Sequence, residues 1–338
     1  MTVISLAARA PEAARAAVRL AWARSASGDP ALALERASAD AGFRTYWRAQ
    51  TAGGSWIVMD SPPALEDVRP WLRMHALLDA GGVRVPRVLA RDEEAGFLLM
   101  EDLGAETWLQ ARDRLDPEAT FDAAIDQLLK LQALDCPPGL PAYDAAMLQR
   151  ELDLFDEWYL GRHLGVELGA GEREGLRQVQ AVLIELALAQ PQVFVHRDYM
   201  PRNLMPVEGG LAVLDFQDAV RGPVAYDPVC LVRDAFHSWA PERVHAWLGR
   251  YHARAVAAGV PVPDEARFRR DADLLGVQRH LKVLGIFARL NYRDGKPKYV
   301  ADAPRFMAYL FEVAGGYPEL APLLPILERC SAPDPGVA

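Results

Sequence analysis

The sequence of 338 residues predicts an α+β protein in two lobes, a small β-rich lobe with one main helix and a larger, mainly helical lobe. Three observations predict it. Strand-like runs bounded by Gly and Pro crowd the first third, apolar residues recur at helical spacing through the remainder, and the two regimes meet once, near Gly104.

Residues 1–24 hold four arginines and one acid and lack the apolar core of a signal peptide, so a plain N-terminal helix is expected there. Residues 31–60 read as two or three short strands: FRTYWRA alternates aromatic and basic residues, and SWIVMD is an apolar run ended by SPP. From 65 to 80, Leu65, Val68, Leu72 and Leu77 recur at helical spacing, with Pro70 near the start. Two more strands follow, joined by the acidic turn at 92–96. Helical patterns then occupy 118–134, 144–163 and 172–189, and after a short hairpin 226–239, 241–258, 264–290 and 301–314. The expected division is therefore 1–103, 104–330 and a frayed tail at 331–338.

An apolar fraction of 51% with 25% charged residues fits a globular chain, and no apolar run approaches the 18 or so residues that span a bilayer. The three cysteines, at 136, 230 and 330, are too scattered for a disulfide framework or a Cys-based zinc site, which favours a reducing cytoplasm. A net charge of -9 argues against nucleic-acid or membrane partners, so an anionic ligand must meet a local basic cluster. Only four of the 37 basic residues are lysines, at 130, 282, 296 and 298.

The chemistry concentrates in VHRDYMPRNLM (195–205) and LAVLDFQDAV (211–220). QVFV leads into His196, Arg197 and Asp198, and NLMPV with LAVLDF forms a hairpin about Glu208, Gly209 and Gly210. Phosphoryl transfer needs such parts: a carboxylate to accept the proton of an attacking hydroxyl, plus an amide and a carboxylate to hold Mg²⁺ on nucleotide phosphates. The order H-R-D-x-x-x-x-N followed by D-F is that of a protein-kinase-like catalytic loop. Asp198 is then the candidate base, and Asn203 and Asp215 the metal ligands.

These segments resemble the aminoglycoside phosphotransferase and choline kinase superfamily, which implies a two-lobed protein-kinase-like fold that uses ATP and Mg²⁺. In that likeness His196 anchors the catalytic loop, LLMEDLG (98–104) is the interlobe hinge, and the backbone of Glu101 and Leu103 meets adenine. DFQDAVRGPVAYDPVCLVRDAF, DLFDEWYLGRHLG, LKVLGIFARLNYRDGKPKY and SADAGFRTYWR narrow the likeness to bacterial anomeric kinases of amino sugars, from about residue 10 to 325. Those enzymes phosphorylate the C1 hydroxyl of N-acetylmuramate and N-acetylglucosamine in cell-wall recycling. A small-molecule amino sugar is thus the implied partner, and a cytoplasmic monomer the implied form. An aminoglycoside or amino-alcohol phosphotransferase and a catalytically silent nucleotide-binding regulator are the competing readings.

The sequence departs from the kinase pattern in its first lobe. No lysine lies there; Met59 and Asp60 stand near the place of the lysine that holds phosphates, and the glycine-rich loop keeps only Gly42. Either Arg44 and Arg48 supply the cation, or both are strand arginines facing water. On the acceptor side, Gln217 and Asp218 are candidates for the sugar hydroxyls, and Asp227 is more consistent with anchoring the catalytic loop. Phe155, Trp158 and Tyr159, at helical spacing, are either core or a sugar-stacking wall. Residues 279–298 carry Arg279, Lys282, Arg289, Arg293, Lys296 and Lys298 against Asp294 alone. Arg289 and Arg293, at i and i+4, are candidates for a lactyl carboxylate, with a solvated helix face as the alternative.

Overall fold

The computed structural model describes residues 9–38, 43–51 and 54–331, with side chains from Glu12 onward. Two compact units divide the chain: Met1–Gln127 with Arg202–Gln217, and Leu128–Pro201 with Asp218–Ala338.

The first unit opens with α1 (Arg9–Ser27), followed by β1 (Ala33–Ser38), β2 (Thr45–Thr51), β3 (Gly54–Asp60), α2 (Arg69–Ala80), β4 (Val88–Asp92) and β5 (Phe97–Glu101). The five strands form one antiparallel sheet in the order β1-β2-β3-β5-β4. In register, Val58 of β3 stands between Trp47 and Leu99. Ala23, Leu32, Ala49, Val58 and Leu99 are buried together, with Leu20 and Trp22 of α1 packed against them, so α1 covers this face of the sheet. Asp60 ends β3 at 1% exposure, where Arg15 and Arg19 of α1 each reach one of its oxygens, at 2.6 and 2.7 Å. Two guanidiniums thus compensate the buried carboxylate. Next come α3 (Trp108–Ala111), started by a Thr107–Gln110 capping box, and α4 (Pro117–Gln132).

The second unit continues with α5 (Ala145–Leu154), a π-helix (Phe155–His163), α6 (Ala170–Ala189) and β6 (Gln192–Val195). The hairpin β7 (Leu204–Val207) and β8 (Gly210–Val213) belongs to the first unit. Its turn carries Gly209 at φ 80°, a conformation glycine adopts without steric cost. The chain then forms β9 (Val220–Pro223), antiparallel to β6, and the helices α7 (Tyr226–Val232), α8 (Pro241–Ala257), α9 (Glu265–Asp294), α10 (Ala303–Gly316) and α11 (Leu324–Ser331). The long α9 packs against α5, the π-helix, α6, α7, α8 and α10. At Gly285 a Cβ would stand 2.3 Å from the carbonyl carbon of Leu154, so only glycine permits this close passage.

The strands of the first lobe and most helices lie where the sequence predicts them. Three places differ. The pattern at 226–239 ends as a helix at Val232, because Arg305 captures the carbonyls of Asp234 and Ala235, at 3.0 and 2.6 Å, in a non-helical loop. The run 144–163 divides into α- and π-helix. α3, β9 and α11 are too short to stand out in the sequence. Gly42, and the tail from 332 on, lie outside the described residues.

Candidate functional site

In the second unit β6 delivers the chain into His196, which is fully buried. Asp227, near the start of α7, accepts the backbone N–H groups of His196 and Arg197 at 2.7 and 3.0 Å, one on each carboxylate oxygen. Burial pushes its carboxyl up to about 7 against the pull of those two bonds. The Cys230 thiol donates to the Arg197 carbonyl at 3.3 Å, so α7 holds the loop at two points. Asp198 N–H donates to His196 Nδ1 at 3.3 Å, and Met200 N–H to the Asp198 carbonyl at 2.9 Å. Arg197 occupies the left-handed region at φ 74°, a strained conformation for a long side chain that these bonds maintain.

The Arg197 side chain enters a buried network. Its Nη2 donates to Glu151 Oε1 at 2.7 Å, and Lys282 Nζ lies 2.8 Å from the same oxygen. Tyr143 donates to the other Glu151 oxygen, and Lys282 also reaches the Tyr226 hydroxyl at 3.1 Å. Burial opposes ionisation of Glu151, yet Lys282 and Arg197 hold its carboxyl below the ordinary value. The sequence counts Lys282 in a basic run and does not single out Glu151. Their pairing joins helices distant in the chain, which no local pattern reports.

In the first unit Leu214 N–H donates to the Asn203 carbonyl at 2.9 Å, which extends the β7–β8 ladder by one bond. Asn203 and Asp215 therefore flank the open end of one hairpin. Asp215 has φ 61°, the second non-glycine residue in the left-handed region, and Gln217 Nε2 donates to its Oδ1 at 2.7 Å. Phe216 is buried against Trp71 of α2, with ring centroids 5.1 Å apart, which fixes the chain beside the exposed Asp215. Both strained residues lie within the two motif segments.

The remaining candidates divide plainly. Arg44 pairs with Glu66, its Nε 2.8 Å from Oε1. Arg48 forks onto Asp102 at 2.6 and 3.0 Å and donates to the Gly104 carbonyl at 2.8 Å. The N–H of Glu101 donates to the Arg87 carbonyl at 2.9 Å, and Arg84 holds the Glu101 carboxyl below its ordinary value. Leu103 is half-buried after β5 and Asp218 is exposed. Tyr159 is buried and stacks on Phe155 at 5.6 Å within the π-helix, whereas Trp158 is half-buried. Arg293 is exposed and forks onto its neighbour Asp294, while Arg289 is half-buried, and its Nε has no hydrogen-bond partner among the described residues. The basic run is thus no uniform solvated face, since Arg279 and Lys282 are buried.

Among the described residues no group of three or more His, Cys, Asp or Glu side chains could hold a metal, and no helix is long and apolar enough to cross a membrane. An amide oxygen and one carboxylate, as at Asn203 and Asp215, form a hard-oxygen donor pair that suits Mg²⁺ shared with phosphate oxygens.

The model of the phosphotransferase enzyme family matches residues 33–269. The chain is 51% identical over 304 residues, 90% of each chain, to the N-acetylmuramate/N-acetylglucosamine kinase of Pseudomonas putida. Among solved structures it is similar to choline kinase from Streptococcus pneumoniae, with a TM-score of 0.60 and 15% identity over 86% of this chain and 97% of that one. An ADP-bound aminoglycoside phosphotransferase matches with a TM-score of 0.56 and 15% identity over 82% and 94%. These likenesses agree with a protein-kinase-like fold. The chain belongs to the phosphotransferase enzyme family.

Proposed function

We propose that the chain transfers the γ-phosphoryl group of ATP to the C1 hydroxyl of N-acetylmuramate and N-acetylglucosamine, giving the sugar 1-phosphate. The observation that carries this reading is the 51% identity, over nine-tenths of both chains, to a relative named for those two sugars. A cytoplasmic monomer acting in peptidoglycan recycling is part of the same reading.

In this mechanism Asp198 accepts the proton of the C1 hydroxyl as its oxygen bonds to the γ-phosphorus and the bond to the β,γ-bridging oxygen breaks, releasing ADP. A hemiacetal hydroxyl is more acidic than an ordinary alcohol, so a single carboxylate suffices. Asn203 and Asp215 would hold Mg²⁺, which when bound neutralises phosphate charge. Glu101, whose N–H is already bonded to Arg87, would meet adenine through its carbonyl, and Leu103 through its N–H. Arg44 or Arg48 would replace the missing lysine by exchanging Glu66 or Asp102 for phosphate oxygens. Gln217 and Asp218 would meet sugar hydroxyls. Arg289, with its unpartnered Nε, suits the lactyl carboxylate better than Arg293, which Asp294 already holds.

The test is phosphorus NMR of the product formed from ATP and N-acetylmuramate. Coupling of the phosphorus to the anomeric proton is expected; attachment at C6 overturns the position, and no consumption of ATP overturns the activity.

A further inference from the structure

Arg197, immediately before Asp198, has φ 74°, where a Cβ crowds the backbone. Left to itself such a residue leaves that region, so something must hold it there. Asp227 fixes the N–H groups of His196 and Arg197, at 2.7 and 3.0 Å. Beyond the Arg197 Cα the backbone is held less firmly. The Cys230 thiol, a weak donor, meets the Arg197 carbonyl, and the Asp198 N–H meets His196 Nδ1, each at 3.3 Å.

The side chain of Arg197 completes the hold. Its Nη2 donates to Glu151 Oε1 at 2.7 Å, and Nη1 to the Asp218 carbonyl at 3.4 Å. Glu151, on α5, is 8% exposed, and a buried carboxylate keeps its cation more firmly than a surface one. Lys282 Nζ lies 2.8 Å from the same Oε1, while the Tyr143 hydroxyl and, at 3.3 Å, the Gln278 amide donate to Oε2. These partners seat the carboxylate independently of the catalytic loop. Rotation about the N–Cα bond of residue 197 would swing its side chain and the following peptide together. A guanidinium fastened to a fixed carboxylate therefore also fixes the direction in which the chain enters Asp198.

We propose that Glu151 and Arg197 are a pair of positioning residues: the buried carboxylate, through the guanidinium, holds residue 197 in the left-handed region and so directs Asp198. The proposal rests on the reading of Asp198 as proton acceptor. Because the pair acts through the backbone, its effect falls on kcat and leaves both KM values nearly unchanged. Glycine separates this role from packing, since it enters the left-handed region about as readily as the right-handed and needs no tether to do so.

The experiment is steady-state kinetics on the full chain with Arg197→Ala, Arg197→Gly, Glu151→Gln, Asp198→Asn and the double variant Glu151→Gln/Arg197→Gly. Arg197→Ala should lower kcat about 5- to 30-fold, the occupancy an untethered Cβ loses in the left-handed region. Both KM values should stay within about twofold of the parent. Arg197→Gly, although it removes more of the side chain, should keep kcat within about threefold of the parent. Glu151→Gln should lower kcat about as far as Arg197→Ala does, and should add no loss in the Arg197→Gly background. The proposal is overturned by a kcat for Arg197→Gly at or below that of Arg197→Ala, by parent kcat in a folded Arg197→Ala, or by additive losses in the double variant. Should Arg197→Ala or Glu151→Gln fail to fold, the other comparison decides. A raised KM with intact kcat makes the pair a substrate contact and overturns it as well. Parent turnover in Asp198→Asn is a separate failure, of the proton-acceptor reading itself.

Discussion

Lys282 Nζ lies 2.8 Å from Oε1 of Glu151, the oxygen that also receives Arg197 at 2.7 Å. One buried carboxylate thus joins the central helix of the second unit to the catalytic loop. Glu151→Gln should leave the buried Lys282 and the half-buried Arg197 without their anion and lower stability by about 3 kcal/mol. Urea unfolding measures it, and turnover should fall in parallel because Arg197 loses its tether. A loss below about 1 kcal/mol would mean that solvent screens the pair.

Asp198→Asn should preserve the fold and nucleotide binding and reduce turnover roughly 10²-fold or more, the usual effect of removing a general base. Calorimetry of nucleotide binding beside the kinetics separates the two, and undiminished turnover removes Asp198 from the mechanism.

Asp215→Ala should abolish Mg²⁺-dependent nucleotide binding, since it removes the charged ligand, whereas Asn203→Ala should weaken it less. Titration with Mg-ATP tests the order. Equal binding by Asp215→Ala and the parent would rule out this carboxylate as a ligand.

Arg48 and Asp102 fork together with the Asp102 side chain only 4% exposed. If the pair acts mainly to tie β2 to the end of β5, Arg48→Ala and Asp102→Ala should each lose about 2 kcal/mol and together little more. If Arg48 also meets nucleotide, Arg48→Ala should raise the KM for ATP more than Asp102→Ala does.

Burial, with Arg279 adjacent, lowers the His280 imidazole to about 3 from an ordinary 6.5. The folded chain keeps it neutral where the unfolded chain takes up a proton, so stability is lost as pH falls from 6.5 towards 3. His280→Phe keeps a ring beside Phe306 and Tyr309, whose centroids lie 5.1 and 4.5 Å away, and removes the titration. Between pH 7 and 5 the parent should lose about 2 kcal/mol relative to the variant. A pH-independent difference in denaturant unfolding would show that His280 charges freely in the folded state.

The legible parts of the molecule were those written locally. Gly209 and Gly210 between two apolar runs announce the hairpin, and the hairpin alone places Asn203 and Asp215 at one end. Alternation in FRTYWRA and the apolar SWIVMD likewise announce β2 and β3. What stayed hidden depends on partners remote in sequence. Arg197 and Glu151 are 46 residues apart, and Arg48 and Asp102 are 54 apart. Nor does the basic run at 279–298 disclose that Arg279 and Lys282 turn inward while Arg293 turns outward, because burial along α9 is set by the helices around it.

The π-helix has one more consequence. Leu164 N–H bonds to the carbonyl of Tyr159, five residues back, so the segment Phe155–His163 behaves as a helix with a surplus residue wound into it. Deleting one residue there would let ordinary winding resume and close the wide turn, while the side chains beyond it kept about their present directions. Tyr159 and His163, whose rings now lie 5.5 Å apart, would face different neighbours. The stretch therefore absorbs one residue without turning the helix beyond it, and its length sets the spacing of Tyr159 and His163.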